Sequence, residues 1–335
     1  MAFERSVILK KEGYDPFIDY LKAYSIFCVV FAHSLPVVLY NYTLFWVWGS
    51  MQVPMFVLIQ VFNAYKKETR PHLSYIKLIK RIILPFIVVQ LILLSTCFAD
   101  VKSSKEELLK FVVGGGKGPG SYYFWVYLQI AIFLPILWKF MNKVSSKALL
   151  FTFLFGSIGI EVIFSIVDFP DWLYRLLAIR YLFLIYLAYT IWVKKGVIIN
   201  WNTILLSLLS ISVVLFFYYT DFNLEPLFYN TAWETHRWIC YFYVATLMVY
   251  FLWLFYNKAV KVEWLDKAIK TIGKCSYEIF LIQMLVFVFV KGILNSIEEP
   301  FIRLPLSLVS LIVLSLVLGV GFKYYVIDKC NFLRT

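Results

Sequence analysis

Long apolar runs recur along almost the whole chain, separated by short polar segments. A helix that crosses a bilayer needs about 20 mostly apolar residues. Ten runs reach or approach this length, at 17–40, 44–63, 82–99, 122–140, 148–167, 175–193, 203–220, 237–256, 275–295 and 304–326. The pattern therefore predicts an all-α, polytopic integral membrane protein with about ten transmembrane helices, in which residues 1–335 form a single domain.

The composition indicates that lipid is the main solvent of this chain. Hydrophobic residues make up 62% of it and charged residues only 16%, whereas a soluble domain is typically about a quarter charged. Aromatic residues reach 20%, and Trp and Tyr gather where water meets lipid. The first apolar run is too long for the apolar part of a cleavable signal peptide, so we expect it to remain as an anchor.

Positive charge is distributed unevenly between the segments that link the spans. With the N-terminus placed inside the cell, the inner segments carry 22 Lys and Arg residues and the outer segments carry 7. Cytoplasmic loops of membrane proteins are enriched in these residues. We therefore expect both termini in the cytoplasm and a multi-pass protein of the inner or plasma membrane. This bias also explains the net charge of +12, which gives no indication of nucleic-acid binding.

A glycine cluster, VVGGGKGPGS, occupies the end of the longest outer segment, 100–121. Glycine-rich loops bind phosphates when they end in GK[ST] and link a strand to a helix. The cluster lacks both features. It therefore predicts a flexible outer loop and not a nucleotide site.

The first span, FIDYLKAYSIFCVVFAHSLP, contains Asp19, Lys22 and His33. An ionisable side chain at mid-helix costs about 2.5–3.5 kcal/mol, so it usually faces a cavity or a partner. Lys22 and His33 are 11 residues apart, which is about 20° more than three helical turns and puts them on one face. Asp19 precedes Lys22 by three residues and can pair with it. The alternatives are a histidine that only packs and an ion pair that reaches the membrane boundary.

Two later spans each carry an ionisable residue at about the depth of His33. Glu161 lies in the fifth span and Arg180 in the sixth, both in the outer half of the bilayer by the counted orientation. Their depth predicts one polar cavity bordered by all three residues. The alternatives are a protonated Glu161 that bonds a neighbour and an Arg180 that, like Lys291, extends toward the membrane surface.

Several stretches resemble membrane acyltransferase family 3, whose members modify cell-surface polysaccharides and related glycans. The first span is similar to the family's first helix, in which a basic residue and a histidine are separated by ten positions, as Lys22 and His33 are. The stretch VPMFVLIQVFNAYKK resembles an apolar helix that ends in a basic turn, with Gln60 and Val61 in place of a Ser-Gly pair.

Three further stretches extend the resemblance over most of the chain. YIKLIKRIILPF resembles the basic segment that enters the third helix, with Lys77 and Lys80 replacing an arginine pair, or Arg81 serving instead. YYFWVYLQIAIFLPIL is similar to a helix with a Trp-Phe feature, here inverted around Trp125. GKCSYEIFLIQ resembles the late Ser-Tyr motif, with Gln283 where His is common.

The resemblance implies an O-acyltransferase that takes acyl-CoA from the cytoplasm and a glycan or lipid-linked sugar hydroxyl from the far side. Acetyl is the default acyl group, and succinyl is an alternative. His33 would be the general base, with Glu161 as a second catalytic residue. The implied cofactor-binding residues are Lys22, Lys77, Lys80 and Arg81. The implied substrate-binding residues are Asp19, Trp125, Arg180, Tyr277 and Gln283. No cluster has the spacing of metal ligands, so no metal is expected.

Two other functions remain open at this point. Polar residues at mid-membrane also suit a transporter or flippase of a sugar or an anionic solute, although the chain has no internal repeat. The departures at Gln60, Val61 and Gln283 also suit a noncatalytic subunit of a glycan export complex. The expected partners are membrane lipid, acyl-CoA and the acceptor, and the sequence leaves the oligomeric state open, a homo-oligomer included.

Overall fold

The protein is mostly helical, as predicted. A computed structural model describes residues 5–8, 13–36, 39, 42–65, 74–97, 108, 111, 114–193, 196–220, 238–294, 297 and 299–330. The first helices are α1 Pro16–Ser34, α2 Gln52–Tyr65, α3 at 75–97, α4 Tyr122–Met141, α5 Ser146–Ile166 and α6 Leu182–Val193. The later helices are α7 Trp201–Tyr219, α8 at 238–259, α9 Glu263–Lys274, α10 Ser276–Leu294 and α11 Pro300–Phe322.

Each predicted span overlaps one of these helices, and α9 is the helix that lies outside the predicted spans. Among the described residues, seven helical segments are long and apolar enough to cross a membrane. The apolar stretches of α6 and α7 are shorter, and Asp19, Lys22 and His33 interrupt that of α1. The fold therefore supports a multi-pass membrane protein, while the count of ten spans and the cytoplasmic termini stay predictions.

A short β-ribbon accompanies the helices. The strands β1 Arg5–Ile8 and β2 Gly196–Ile199 pair antiparallel, with Arg5 opposite Ile199. Strands of four residues are too short for an alternating pattern to reveal them. The ribbon joins the segment before α1 to the segment after α6.

Helix α1 lies inside the bundle and not on its surface. It begins where Pro16 follows Asp15, whose carboxylate accepts the Phe17 N–H at 3.0 Å, and both features favour a helix start. Its neighbours are α2, α8, α9, α10 and α11. The side chains of Leu21 and Ile26 are fully buried. The polar residues of α1 therefore face protein and not lipid.

The amphipathic helix α9 packs closely against the start of α1. A Cβ on Gly273 would lie 2.0 Å from the backbone oxygen of Asp19, so only glycine fits there. The hydroxyl of Tyr20 donates to Asp266 at 2.8 Å, and Lys270 pairs with Asp266 at 2.6 Å. Burial raises the pKa of Asp266, but the hydrogen bonds from Lys270 and Tyr20 outweigh it and hold the pKa below its usual value. These contacts fix α9 beside the start of α1 at both its first turn and its C-terminal end.

Three segments of the described chain adopt π-helical geometry, at Ile79–Ile83, Val244–Met248 and Lys323–Ile327. Such turns interrupt the regular rotation of a helix and are frequent at functional sites. The first contains Arg81 within α3, and the last begins with Lys323 directly after α11. Both basic side chains line the cavity described next.

Candidate active site

A cavity of about 620 Å³ lies between α1, α2, α3, α4, the end of α9, α10 and the π turn after α11, a volume typical of small-molecule sites. It follows α1 from Lys22 past Val29 to His33, on the single helix face that the spacing predicted. The separation of Lys22 and His33 corresponds to about 16 Å of helix rise. Its other polar lining residues include Gln52, Gln60, Asn63, Tyr122, Tyr123, Tyr127, Ser276, Tyr277 and Glu278.

One part of the cavity is rich in positive charge, and we call it the basic mouth. It consists of Lys22, Arg81, Lys274 and Lys323. Carboxylates lie among them: Asp19 is 3.3 Å from Lys22, while Glu278 and Asp328 are 3.8 Å and 2.6 Å from Lys323. Arg81 and Lys274 are exposed at the surface. Basic side chains from α1, α3, α9 and the end of α11 therefore meet where an anionic ligand can enter.

The other part of the cavity brings His33 close to a glycine and to a buried amide. A Cβ placed on Gly120 would lie 4.0 Å from both the His33 Nε2 and the Gln283 Nε2, and 3.2 Å from the ring of Phe280. The imidazole also meets the ring of Phe287 at a right angle, with centroids 6.1 Å apart. Because Gly120 has no side chain, the space in front of it borders the imidazole and the amide together.

Gly120 belongs to a loop of residues 114–120, the glycine loop, which hydrogen bonds tie to the bundle. The Gln90 amide donates to the Lys117 carbonyl at 3.1 Å and accepts the Lys117 N–H at 2.8 Å. The indole of Trp125 donates to the Gly115 carbonyl at 2.7 Å. The glycine content of the sequence predicted a flexible segment here. The hydrogen-bond partners belong to α3 and α4, so the sequence of the loop alone does not reveal them.

We expect Gly118→Ala to loosen the glycine loop. Gly118 has φ +101°, and a Cβ there would lie 2.7 Å from the Cβ of Met284, so the substitution strains the backbone and forces a shift. The unfolding free energy should fall by about 1–3 kcal/mol, measured by thermal unfolding of the purified protein in detergent. Gly159→Ala is the matched control, since nothing lies within 4 Å of that Cβ position in α5. Equal unfolding temperatures for the two variants would contradict the assigned loop geometry.

Of the two residues predicted from the late Ser-Tyr motif, Tyr277 lines the cavity and Gln283 lies behind its lining. Tyr277 donates its hydroxyl proton to the Ile82 carbonyl at 2.6 Å, which joins α10 to α3. Gln283 is fully buried, and neither Oε1 nor Nε2 has a hydrogen-bond partner among the described residues. A buried amide without a partner costs about 1–3 kcal/mol, so Gln283 is a costly residue at this position.

Glu161 and Arg180, predicted to border the same cavity as His33, belong to a buried cluster beside it. The Tyr174 hydroxyl donates to Glu161 Oε1 at 2.5 Å. The Arg180 guanidinium lies 5.6 Å from the ring centroid of Tyr122 and 5.5 Å from that of Tyr174. Neither charged residue lines the cavity, but Tyr122 does. The cluster therefore supports the cavity wall, and a catalytic role of Glu161 stays a prediction.

The cavity gathers only part of the predicted site. The predicted residues that line it are Lys22, His33, Arg81 and Tyr277. Besides Glu161 and Arg180, the predicted residues outside its lining are Asp19, Lys77, Lys80, Trp125 and Gln283. Asp19 is buried next to Lys22, and Lys77 is exposed. Within the described residues, no group of three or more His, Cys, Asp and Glu side chains is arranged to hold a metal ion.

Sequence reasoning missed Lys274, Lys323 and Gly120 as site residues. The two lysines were counted only as charges that orient the protein, and the glycine only as part of a flexible loop. The sequence did offer one signal, the side of the membrane assigned to each residue. The two lysines were assigned to the inner side, like the start of α1, and Gly120 to the outer side, like the end of α1. Which inner and outer segments meet α1 depends on helix packing, which hydropathy does not specify.

One family model covers nearly all the residues that border the cavity. No curated protein and no solved structure matches the chain. The family model described as an acyltransferase domain matches residues 15–323, from the residue that caps α1 to the start of the last π turn. This match confirms the resemblance seen in the motifs. The chain therefore belongs to acyltransferase family 3 and is a membrane acyltransferase.

Proposed function

We propose that this protein transfers an acyl group, acetyl by default, from cytoplasmic acyl-CoA to a hydroxyl of a cell-surface or lipid-linked glycan, with His33 as the general base. One observation carries the proposal: a single cavity connects the basic mouth to His33. Family membership supports acyl transfer itself. The shape and charge of the cavity support acyl-CoA as the donor.

The cavity suits a ligand with several phosphates at one end and a long neutral arm, which is the chemistry of CoA. The phosphates would bind the basic mouth, where Arg81 can offer two parallel N–H donors. The arm would then follow α1 for the roughly 16 Å that separate Lys22 from His33. Gln60 and Asn63 line this path and offer amide groups to the amides of the arm. The thioester would reach the imidazole.

The transfer step then needs only groups that are already in the cavity. The acceptor hydroxyl would enter past the glycine loop, and neutral His33 would accept its proton as the oxygen attacks the thioester carbonyl carbon. The new C–O bond forms and the C–S bond breaks, and the thiolate takes the proton from the imidazolium and leaves as free CoA. General-base assistance of this kind is typically worth about 10²–10⁴ in rate.

In this proposal Glu161 and Arg180 support the wall of the cavity by holding the ring of Tyr122 in position. Arg180 lies over the ring of Tyr122, and Tyr122 lines the cavity at the start of α4. The Glu161–Tyr174 hydrogen bond holds a second ring against the same guanidinium. Contact of either charged group with the acceptor stays a prediction of the sequence.

Chemical analysis of surface glycan, with and without the protein, tests the proposal. We expect the acetyl ester content to fall to background in cells that lack the protein and to return with the wild-type chain. Purified protein in detergent should also bind acetyl-CoA, measured by calorimetry. A transporter would move solute without binding acetyl-CoA, and a noncatalytic subunit would bind none. Unchanged ester content together with no acetyl-CoA binding would overturn the proposal.

A further inference from the structure

We propose that Gln283 is a further catalytic residue, whose side-chain amide donates a hydrogen bond to the thioester carbonyl oxygen as the acceptor attacks. This inference rests on the proposed acyl transfer to a hydroxyl and deepens it, because it assigns the group that stabilises the developing negative charge. Gln283 lies on α10, whereas His33 lies on α1.

The geometry places the amide and the imidazole against the same small space. The position of a Cβ on Gly120 is 4.0 Å from the Gln283 Nε2 and 4.0 Å from the His33 Nε2, so both nitrogens border the space in front of this glycine. Gly120 and Phe280 line the cavity directly in front of the amide. In the proposed complex, a thioester carbon next to His33 directs its carbonyl oxygen toward the Gln283 amide past Gly120, where no side chain intervenes.

The amide of Gln283 lies just behind the cavity lining and has unused hydrogen-bonding capacity. Gln283 is fully buried, and both of its polar side-chain atoms lack a hydrogen-bond partner among the described residues. Buried polar groups in folded proteins are nearly always paired, and an exception calls for an explanation. The neighbouring buried amide of Gln90, by contrast, is bonded to the backbone of Lys117. A ligand carbonyl supplies the partner that Gln283 lacks.

The proposed step balances without another reactant. As the acceptor oxygen bonds to the carbonyl carbon, negative charge develops on the carbonyl oxygen and the hydroxyl proton moves to His33. A preformed N–H donor stabilises this charge more than it stabilises the ground-state carbonyl. When the C–S bond breaks, the carbonyl is restored as an ester and the hydrogen bond weakens again.

Gly120 has a matching role in this arrangement. It has φ +78°, and any side chain there would enter the space between the imidazole, the amide and the ring of Phe280. The glycine therefore keeps open the volume that the acyl group needs. The hydrogen bonds of Lys117 and Gly115 to α3 and α4 hold this part of the loop in place.

Kinetics of Gln283→Met with acetyl-CoA test the proposal. Methionine keeps a similar length but has no N–H donor, so we expect kcat to fall by about 10²-fold while the KM for acetyl-CoA changes little. Gln283→His returns a ring N–H to the same position and should recover part of the lost kcat. Gln283→Leu replaces the Met variant in the same measurement if the Met variant does not purify as a folded, monodisperse protein.

Gln129→Met is the matched control, because it removes an equally large amide that is bonded away from the cavity. Gln129 donates to the Leu176 carbonyl at 2.7 Å and accepts the Ala178 N–H at 3.0 Å. Its variant should keep the wild-type kcat per folded protein. Wild-type kcat in Gln283→Met, or equal losses in both variants, would overturn the role of Gln283. Absence of transfer by the wild-type protein would instead overturn the proposed function.

Discussion

Replacing His33 by alanine is expected to lower acyl transfer by about 10²–10⁴-fold and to leave acetyl-CoA binding at the wild-type level. His33 lies at the end of the cavity opposite the basic mouth, so its loss removes the proton acceptor but none of the groups that would hold the phosphates. Transfer is measured as ester formed on the glycan acceptor, and binding by calorimetry.

Ser34→Ala is the control for this substitution. Ser34 follows His33 in α1, and its hydroxyl donates to the Val30 carbonyl at 2.8 Å within the same helix, so its removal perturbs the same turn of α1 without touching the imidazole. We expect this variant to transfer acyl groups at the wild-type rate. Full transfer by His33→Ala, or equal losses in the two variants, would remove His33 from the reaction.

Replacing Arg81 and Lys274 together by alanine is expected to weaken acetyl-CoA binding by at least about tenfold. Hydrogen bonds to charged groups contribute about 1.5–3 kcal/mol when they are desolvated, and less at an exposed mouth. A loss of about 1.4 kcal/mol corresponds to a tenfold weaker affinity. Both side chains line the cavity and are exposed. Their loss should also make binding less sensitive to ionic strength, because salt screens exposed charges. Calorimetry over a series of salt concentrations measures both effects.

The control for the basic mouth removes the same amount of charge elsewhere. Lys258 and Lys267 are exposed and do not line the cavity, so Lys258→Ala with Lys267→Ala should leave the affinity and its salt dependence unchanged. A loss of affinity equal to that of the Arg81 and Lys274 pair would mean that acetyl-CoA responds to overall charge and not to this mouth. No loss in either pair would place the phosphates elsewhere.

The parts of the site that follow from a single helix were predictable from the sequence. Helical periodicity alone puts Lys22 and His33 on one face of α1, and the cavity follows that face. The cost of polar residues in lipid indicated that this face meets a cavity. Both statements depend only on residues within one stretch of chain, for which spacing is sufficient information.

The parts that depend on which helices are neighbours were not predictable. Depth in the membrane grouped Glu161 and Arg180 with His33, but depth does not specify where a helix lies around the bundle. The structure packs α5 against α6, and Glu161 bonds to Tyr174. In the same way, Lys274 reaches the basic mouth only because Gly273 allows α9 to contact the backbone of α1.

The hydrogen bonds of the glycine loop were also not predictable from its local composition. Glycines predicted flexibility, yet Gln90 and Trp125 bond to the loop backbone, and Gly118 packs against Met284. Glycine permits positive φ and close approach as well as mobility. Only the side chains of α3, α4 and α10 decide between these outcomes, and they are distant in sequence.

An experimental structure of the His33→Ala variant with acetyl-CoA tests the central claim most directly, because that variant should bind the donor without consuming it. The account predicts CoA phosphates against Lys22, Arg81, Lys274 and Lys323, and a thioester beside residue 33 with its carbonyl oxygen toward Gln283. Acetyl-CoA bound outside this cavity, or entering it with the thioester at the basic mouth, would contradict the account.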